Sequence, residues 1–167
     1  LVISTPTNCS TPERIVRTFE RLCPDHPDVQ FEVQVSMDGV GHLHDEVRRV
    51  PGLFDRVLET LGLLNGLRAD TPNLKIKLVT TYSSFNHDGV AELIEYADRN
   101  LAFDRMILAW AHGNCDEETH RGLEFSRYRE LLDRVEDLNV RRHEQQGPTT
   151  HLARFVKKGK EVARAQW

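Results

Sequence analysis

Residues 42–48, HLHDEVR, place two histidines, an aspartate and an arginine within seven positions, directly after the apolar run and glycines of QVSMDGVG. Two chemistries are open to such a stretch. His42, His44 and Asp45 are metal-ligand types, and His42, His44 and His112 together would suit a metal-dependent hydrolase. Two histidines at i and i+2 share a face on a strand, whereas on a helix they point roughly 200° apart. Here the stretch reads as a loop entering a short helix, which leaves the histidines at the surface and Asp45 as a cap. The second chemistry belongs to Arg48, whose planar fork of N–H donors suits a carboxylate, with the Ser36 hydroxyl completing the clasp. Nucleophilic and phosphate-loop chemistry have little to stand on. There is no G-x-S-x-G and no Walker or dinucleotide glycine loop, and Cys115 has only the nearness of His112.

Side chains of this kind need a scaffold, and 167 residues suffice for one domain. With 39% hydrophobic and 29% charged residues the composition is that of a globular protein. A net charge of −4 carries no nucleic-acid footprint. No run of about 18 apolar residues, signal peptide or lipidation motif points to a membrane, so the cytoplasm is the expected compartment. Cys9, Cys23 and Cys115 are odd in number and far apart, which argues for packing thiols over a disulfide framework. The chain opens on the apolar LVIS and stops on RFVKKGKEVARAQW, so a piece of a longer protein, cut at both ends, is expected.

Hydrophobic patterning predicts strands at 1–4, 29–36, 74–81 and 106–111. Helical stripes fall between them. Thr11 and Pro12 open one that carries Ile15, Val16, Phe19 and Leu22 and closes before Pro24. Leu53, Val57, Leu58, Leu61 and Leu64 follow the Pro51-Gly52 turn; Asn86 caps a helix with Val90, Leu93, Ile94 and Ala97. Tyr128, Leu131, Leu132, Val135 and Leu138 form a fourth, and 151–165 a fifth. Spacers of more than twenty residues are too long for hairpins, so the expected fold class is α/β, with parallel strands in about four βα units. Half a barrel or a small open sheet both satisfy this. Half a barrel would leave open edges and an apolar inner face, and so would tend to associate.

In such folds ligands sit beyond the carboxyl ends of the strands. Those positions hold Thr5, Thr7 and Asn8, then Ser36, Asp38 and Gly39, then Thr80, Thr81, Ser83 and Asn86, then Trp110, His112, Gly113 and Asn114. Polar loops and caps explain each singly; a shared ligand site explains the set.

The run VQVSMDGVGHLHDEVRRVPGLFDRVLETLGLL resembles the fourth-strand segment of radical S-adenosylmethionine enzymes, where S-x-D-G, H-D-x-x-R and a G-x-F-x-x-V/A-L helix recur in that order. ISTPTNCSTPERIV is similar to their third strand with its T-N-G, and LKIKLVTTYSSFNHDGVAELIEYA to their fifth. DRMILAWAHGNCDEETHRGLEFSRYRELL resembles the sixth strand in a subgroup with a SPASM-like extension. The resemblance implies a partial (β/α) barrel of which this chain supplies the third to sixth strands. It also implies reductive cleavage of S-adenosylmethionine at a [4Fe–4S] cluster, a 5′-deoxyadenosyl radical that takes hydrogen from a substrate, and an electron donor such as flavodoxin or ferredoxin. The family's C-x-x-x-C-x-x-C is missing from these 167 residues, so the cluster ligands would lie outside the chain and the chain alone would be inactive. By the same resemblance Ser36 and Arg48 contact the methionine carboxylate or the ribose, and Thr7 and Asn8 line the cofactor pocket. Asp38 shapes the turn that aims Ser36, Thr81 faces the ribose or substrate, and Ile107 and Leu108 pack near the adenine. Two positions depart from the pattern: Cys9 replaces the glycine of T-N-G, and His112-Gly113 stands where relatives often have Arg-Gly. A binding module of the same fold without catalysis is the remaining alternative.

Overall fold

The computed structural model describes residues 1–112 and 117–145; the predicted helix at 151–165, and Gly113, Asn114 and Cys115, lie outside them. In chain order the elements are β1 (Val2–Thr7), α1 (Pro12–Asp25), β2 (Gln30–Ser36), α2 (His42–Arg48), α3 (Leu53–Arg68), β3 (Leu74–Tyr82), α4 (Val90–Asn100), β4 (Arg105–Trp110), α5 (Glu117–His120) and α6 (Phe125–Gln145). The strands form one all-parallel sheet in the order β1-β2-β3-β4. The fold is therefore α/β, a run of βα units wound in one direction.

Which face the helices cover follows from the alternation along each strand. Phe31, Val33 and Val35 of β2, Leu74, Ile76 and Leu78 of β3, and Met106 and Leu108 of β4 are buried. They share a single core with Val16 and Phe19 of α1, Val57, Leu61 and Leu64 of α3, Leu93 and Ala97 of α4, and Leu131, Val135 and Leu138 of α6. A doubly wound sheet would reverse its strand order and carry helices on both faces. Among the described residues this one does neither, and is wound like a sector of a (β/α) barrel.

The opposite face is polar, contrary to the apolar inner face expected of half a barrel. It carries Gln30, Glu32, Gln34 and Ser36 on β2 and Lys75, Lys77, Val79 and Thr81 on β3. Lys77 Nζ meets Glu32 Oε2 at 2.5 Å, and Glu32 also accepts from Ser4 and Gln30. Parallel sheets normally bury both faces in apolar side chains. A half-buried ion pair in mid-sheet instead suits a wall that faces a polar interior.

The two sheet edges differ. In a parallel ladder alternate residues of a strand direct both main-chain groups to the same neighbour. Leu1 accepts from Gln30, so Val2, Ser4 and Pro6 direct theirs outward from β1. On β4 the outward groups are covered by α6. Asn139 accepts from Met106 N–H and donates to Met106 C=O, both at 2.8 Å. Tyr128 Oη donates to Leu108 C=O at 3.1 Å and accepts from the Trp110 amide.

Three sequence-based boundaries need correction. β1 runs on to Thr7, so Thr5 and Thr7 lie within the strand; Pro6 is tolerated because its missing N–H would have faced the open edge. α1 continues through Pro24 to Asp25, where proline in the final turn forfeits little, and His26 N–H closes the helix on Leu22 C=O. Asn86 does not cap α4, which begins at Val90 after Gly89.

Candidate functional site

The carboxyl ends of β2 and β3 meet at Asp38. This residue is 2% exposed and all its polar atoms are engaged. Its amide donates to His44 Nδ1 at 3.0 Å, and its carbonyl accepts from Asn86 Nδ2 at 2.9 Å. Oδ1 accepts from the Thr81 amide at 2.9 Å, and Oδ2 lies 2.5 Å from Arg48 Nε. Asp38 thus ties α2, both strands and the β3–α4 loop to one point.

The local sequence explains how α2 comes to lie there. Gly39 and Gly89 form a slot for Leu43: a Cβ on Gly39 would fall 2.7 Å from Leu43 Cγ, and one on Gly89 would also collide with this side chain. With Leu43 seated, His44 and Arg48, one turn apart, both reach Asp38. Asp45 does act as a cap, but of the next helix, accepting from the Gly52 and Phe54 amides at the start of α3. These bonds hold its carboxyl below the usual range.

The two histidines part as helical geometry requires. His42 has an 84% exposed side chain and pairs with Glu46 at 3.0 Å, while His44 is buried. His44 is therefore not the surface residue that the sequence suggested. Its Nδ1 accepts, so Nε2 carries the proton; Nε2 is buried without a hydrogen-bond partner, with the ring edge-on to Phe54. Burial pushes its pKa down, Asp38 pushes back, and Arg48 adds to the lowering. Among the described residues no group of three or more His, Cys, Asp or Glu side chains converges to hold a metal. His42, His44 and His112 thus do not form the ligand set of a hydrolase.

Arg48 is anchored differently from the clasp that the sequence suggested. It pairs with Asp38, not Ser36, and its Nε–H is not aligned for a hydrogen bond. The outer guanidinium nitrogens bond no other described residue, and the side chain is 31% exposed. The result is a cation fixed at its inner edge and open at its outer edge, a fit for an incoming carboxylate. Ser36, half-buried, and Thr81, exposed, stand on the polar face of the sheet as diagonal neighbours, Ser36 opposite Val79 and Thr81 two residues further on. Their hydroxyls can donate to or accept from polar groups of a ligand on this face.

Thr7 and Asn8 are not brought into this cluster. Thr7 stands in register with Val35, on the helix-covered face, and accepts from the Cys9 amide at 3.1 Å. Asn8 is exposed and accepts from the Ser10 amide in the turn before α1. Between them and α1, Cys9 adopts φ +62°, the left-handed conformation that glycine takes most readily, and buries its sulfur fully. Burial raises the thiol to about 11, with Thr60 and Thr7 bonds pulling back, so Cys9 is a packing thiol and not a nucleophile. Ile107 stands on the polar face and Leu108 in the helix-covered core.

Asn86 is the residue whose role sequence reasoning missed. It is 2% exposed, donates to Asp38 and Thr81 carbonyls and accepts from the Ser83 amide and hydroxyl. An asparagine before a helical stripe is the only signal the sequence offers, and it reads as a cap.

No helix among the described residues is long and apolar enough to cross a membrane. No protein-family model matches the chain, and no curated protein matches it.

Proposed function

We propose that this chain is the S-adenosylmethionine-facing wall of a radical S-adenosylmethionine enzyme, spanning its third to sixth βα units. The observation that carries the reading is Arg48, delivered by α2 to the mouth of the sheet, held by Asp38 and open at its outer edge. Support comes from the motif order around it, from the one-way winding of the sheet, and from a polar face presenting Ser36 and Thr81. Arg48 would hold the methionine carboxylate, while Ser36 and Thr81 would offer hydroxyls to the ribose. Cys9 and Cys23 are buried packing thiols, so the [4Fe–4S] ligands belong to residues other than these. When bound, the cluster supplies the electron that cleaves S-adenosylmethionine; the residues of this chain position and shield. The electron would come from a donor such as flavodoxin or ferredoxin.

Two measurements test it. The sequence upstream of Leu1 is expected to hold C-x-x-x-C-x-x-C within about a hundred residues, the length of the βα units assigned there; its absence would favour a non-catalytic binding module. In the intact enzyme Arg48→Ala should weaken S-adenosylmethionine binding about tenfold or more, the loss of a charged hydrogen bond, at unchanged iron content. Equal affinity in a folded variant would remove Arg48 from the site.

A further inference from the structure

The polar face of the sheet holds a second feature, lower on the strands and separate from Arg48. Register sets Gln34, Lys77 and Arg105 side by side across β2, β3 and β4. Neighbours in such a row stand about 4.8 Å apart, so two cations face each other on adjacent strands. Glu32 balances the charge of Lys77, which leaves Arg105 unbalanced beside it. The nearby carboxylates are already occupied. Glu32 accepts from Ser4, Gln30 and Lys77, and Asp104 is held by Arg68, Lys75 and the Ile76 amide. Arg105 is exposed and has no polar partner among the described residues.

We propose that Lys77 and Arg105, with the Gln34 amide, bind the carboxylate or phosphate group of a small molecule lying along the open face of the sheet. Glu32 holds the Lys77 ammonium in place, and Arg105 supplies the uncompensated charge. Two residues further along the strands, about 6.6 Å away, Val79 and Ile107 form a small apolar floor. The matching ligand has an anionic end and a small apolar body. Its binding does not require S-adenosylmethionine, so the two sites can be tested apart.

Calorimetric titration of the chain with succinate, and separately with inorganic phosphate, at constant ionic strength would decide it. Binding of one or both anions is expected, weakened about tenfold or more in Arg105→Gln and unchanged in Arg17→Gln, which removes an exposed arginine on α1. The anion that binds more tightly names the group recognised. Lys77→Met should also weaken binding; because it frees Glu32, its melting curve must be checked, and Arg105→Gln, altered at an exposed position, is the deciding variant. No binding of either anion, equal affinity in Arg105→Gln, or an equal loss in Arg17→Gln would each overturn the proposal.

Discussion

At the scale of single residues, His44 couples the mouth of the sheet to proton concentration. Its Nδ1 must stay unprotonated to accept from the Asp38 amide, and burial lowers its pKa from 6.5. A histidine with a lowered folded pKa contributes stability that is complete above its unfolded value and is lost as pH falls toward the folded one. Urea midpoints should therefore drop as pH is lowered below 6.5. His44→Asn keeps an acceptor and cannot titrate, so its midpoints should fall less steeply over the same window. Parallel slopes for the two proteins would mean that His44 does not control this step. The nearness of Asp38, His44 and Arg48 is legible in the sequence, because they lie within eleven positions, although the burial of His44 is not. Their roles are less legible. Whether Arg48 turns to Ser36 or to Asp38 depends on Leu43 filling the glycine slot, which is packing and not spacing.

At the scale of elements, α6 does two jobs with one helix. Leu131, Val135 and Leu138 seal the core, while Asn139 and Tyr128 take the place of a fifth strand along β4. Asn139→Leu would leave the Met106 amide and carbonyl without partners, which should lower unfolding stability by about 1–3 kcal/mol. Chemical denaturation would measure the loss, and an unchanged midpoint would show that water satisfies this edge. The stripe of α6 is plain in the sequence; its capping role is not. Asn139 lies 33 residues from Met106, and on a helix rich in charge it looks like any solvated polar side chain. Asn86 misleads for the same reason, its partner Asp38 being 48 residues away. The period-2 alternation of QFEVQVS and LKIKLVTTY is the signal that could have foretold a polar second face.

At the scale of the whole molecule, the sheet is finished on one side only among the described residues. Among the described residues nothing pairs with the main-chain groups of Val2 and Ser4 on β1, and Leu1, Val2 and Ile3 are exposed by 83%, 56% and 41%. Beside them an apolar groove of about 520 Å³ runs between β1 and α1, lined by Ile3, Ile15, Phe19 and Leu22 among others. Edges of this kind promote pairing between chains. Sedimentation velocity should show concentration-dependent association, reduced in Val2→Lys, which places a charge on the edge. A monomer at every concentration would mean that Pro6 and the shortness of β1 are protection enough. The asymmetry also carries a practical lesson for anyone joining another protein to this one. A reporter attached at the exposed Glu136 of α6 lies on a helix that already covers the β4 edge and should leave folding alone. The same reporter attached at Val2 would sit on a seam where foreign backbone can be accepted, and should report on that seam as much as on the protein.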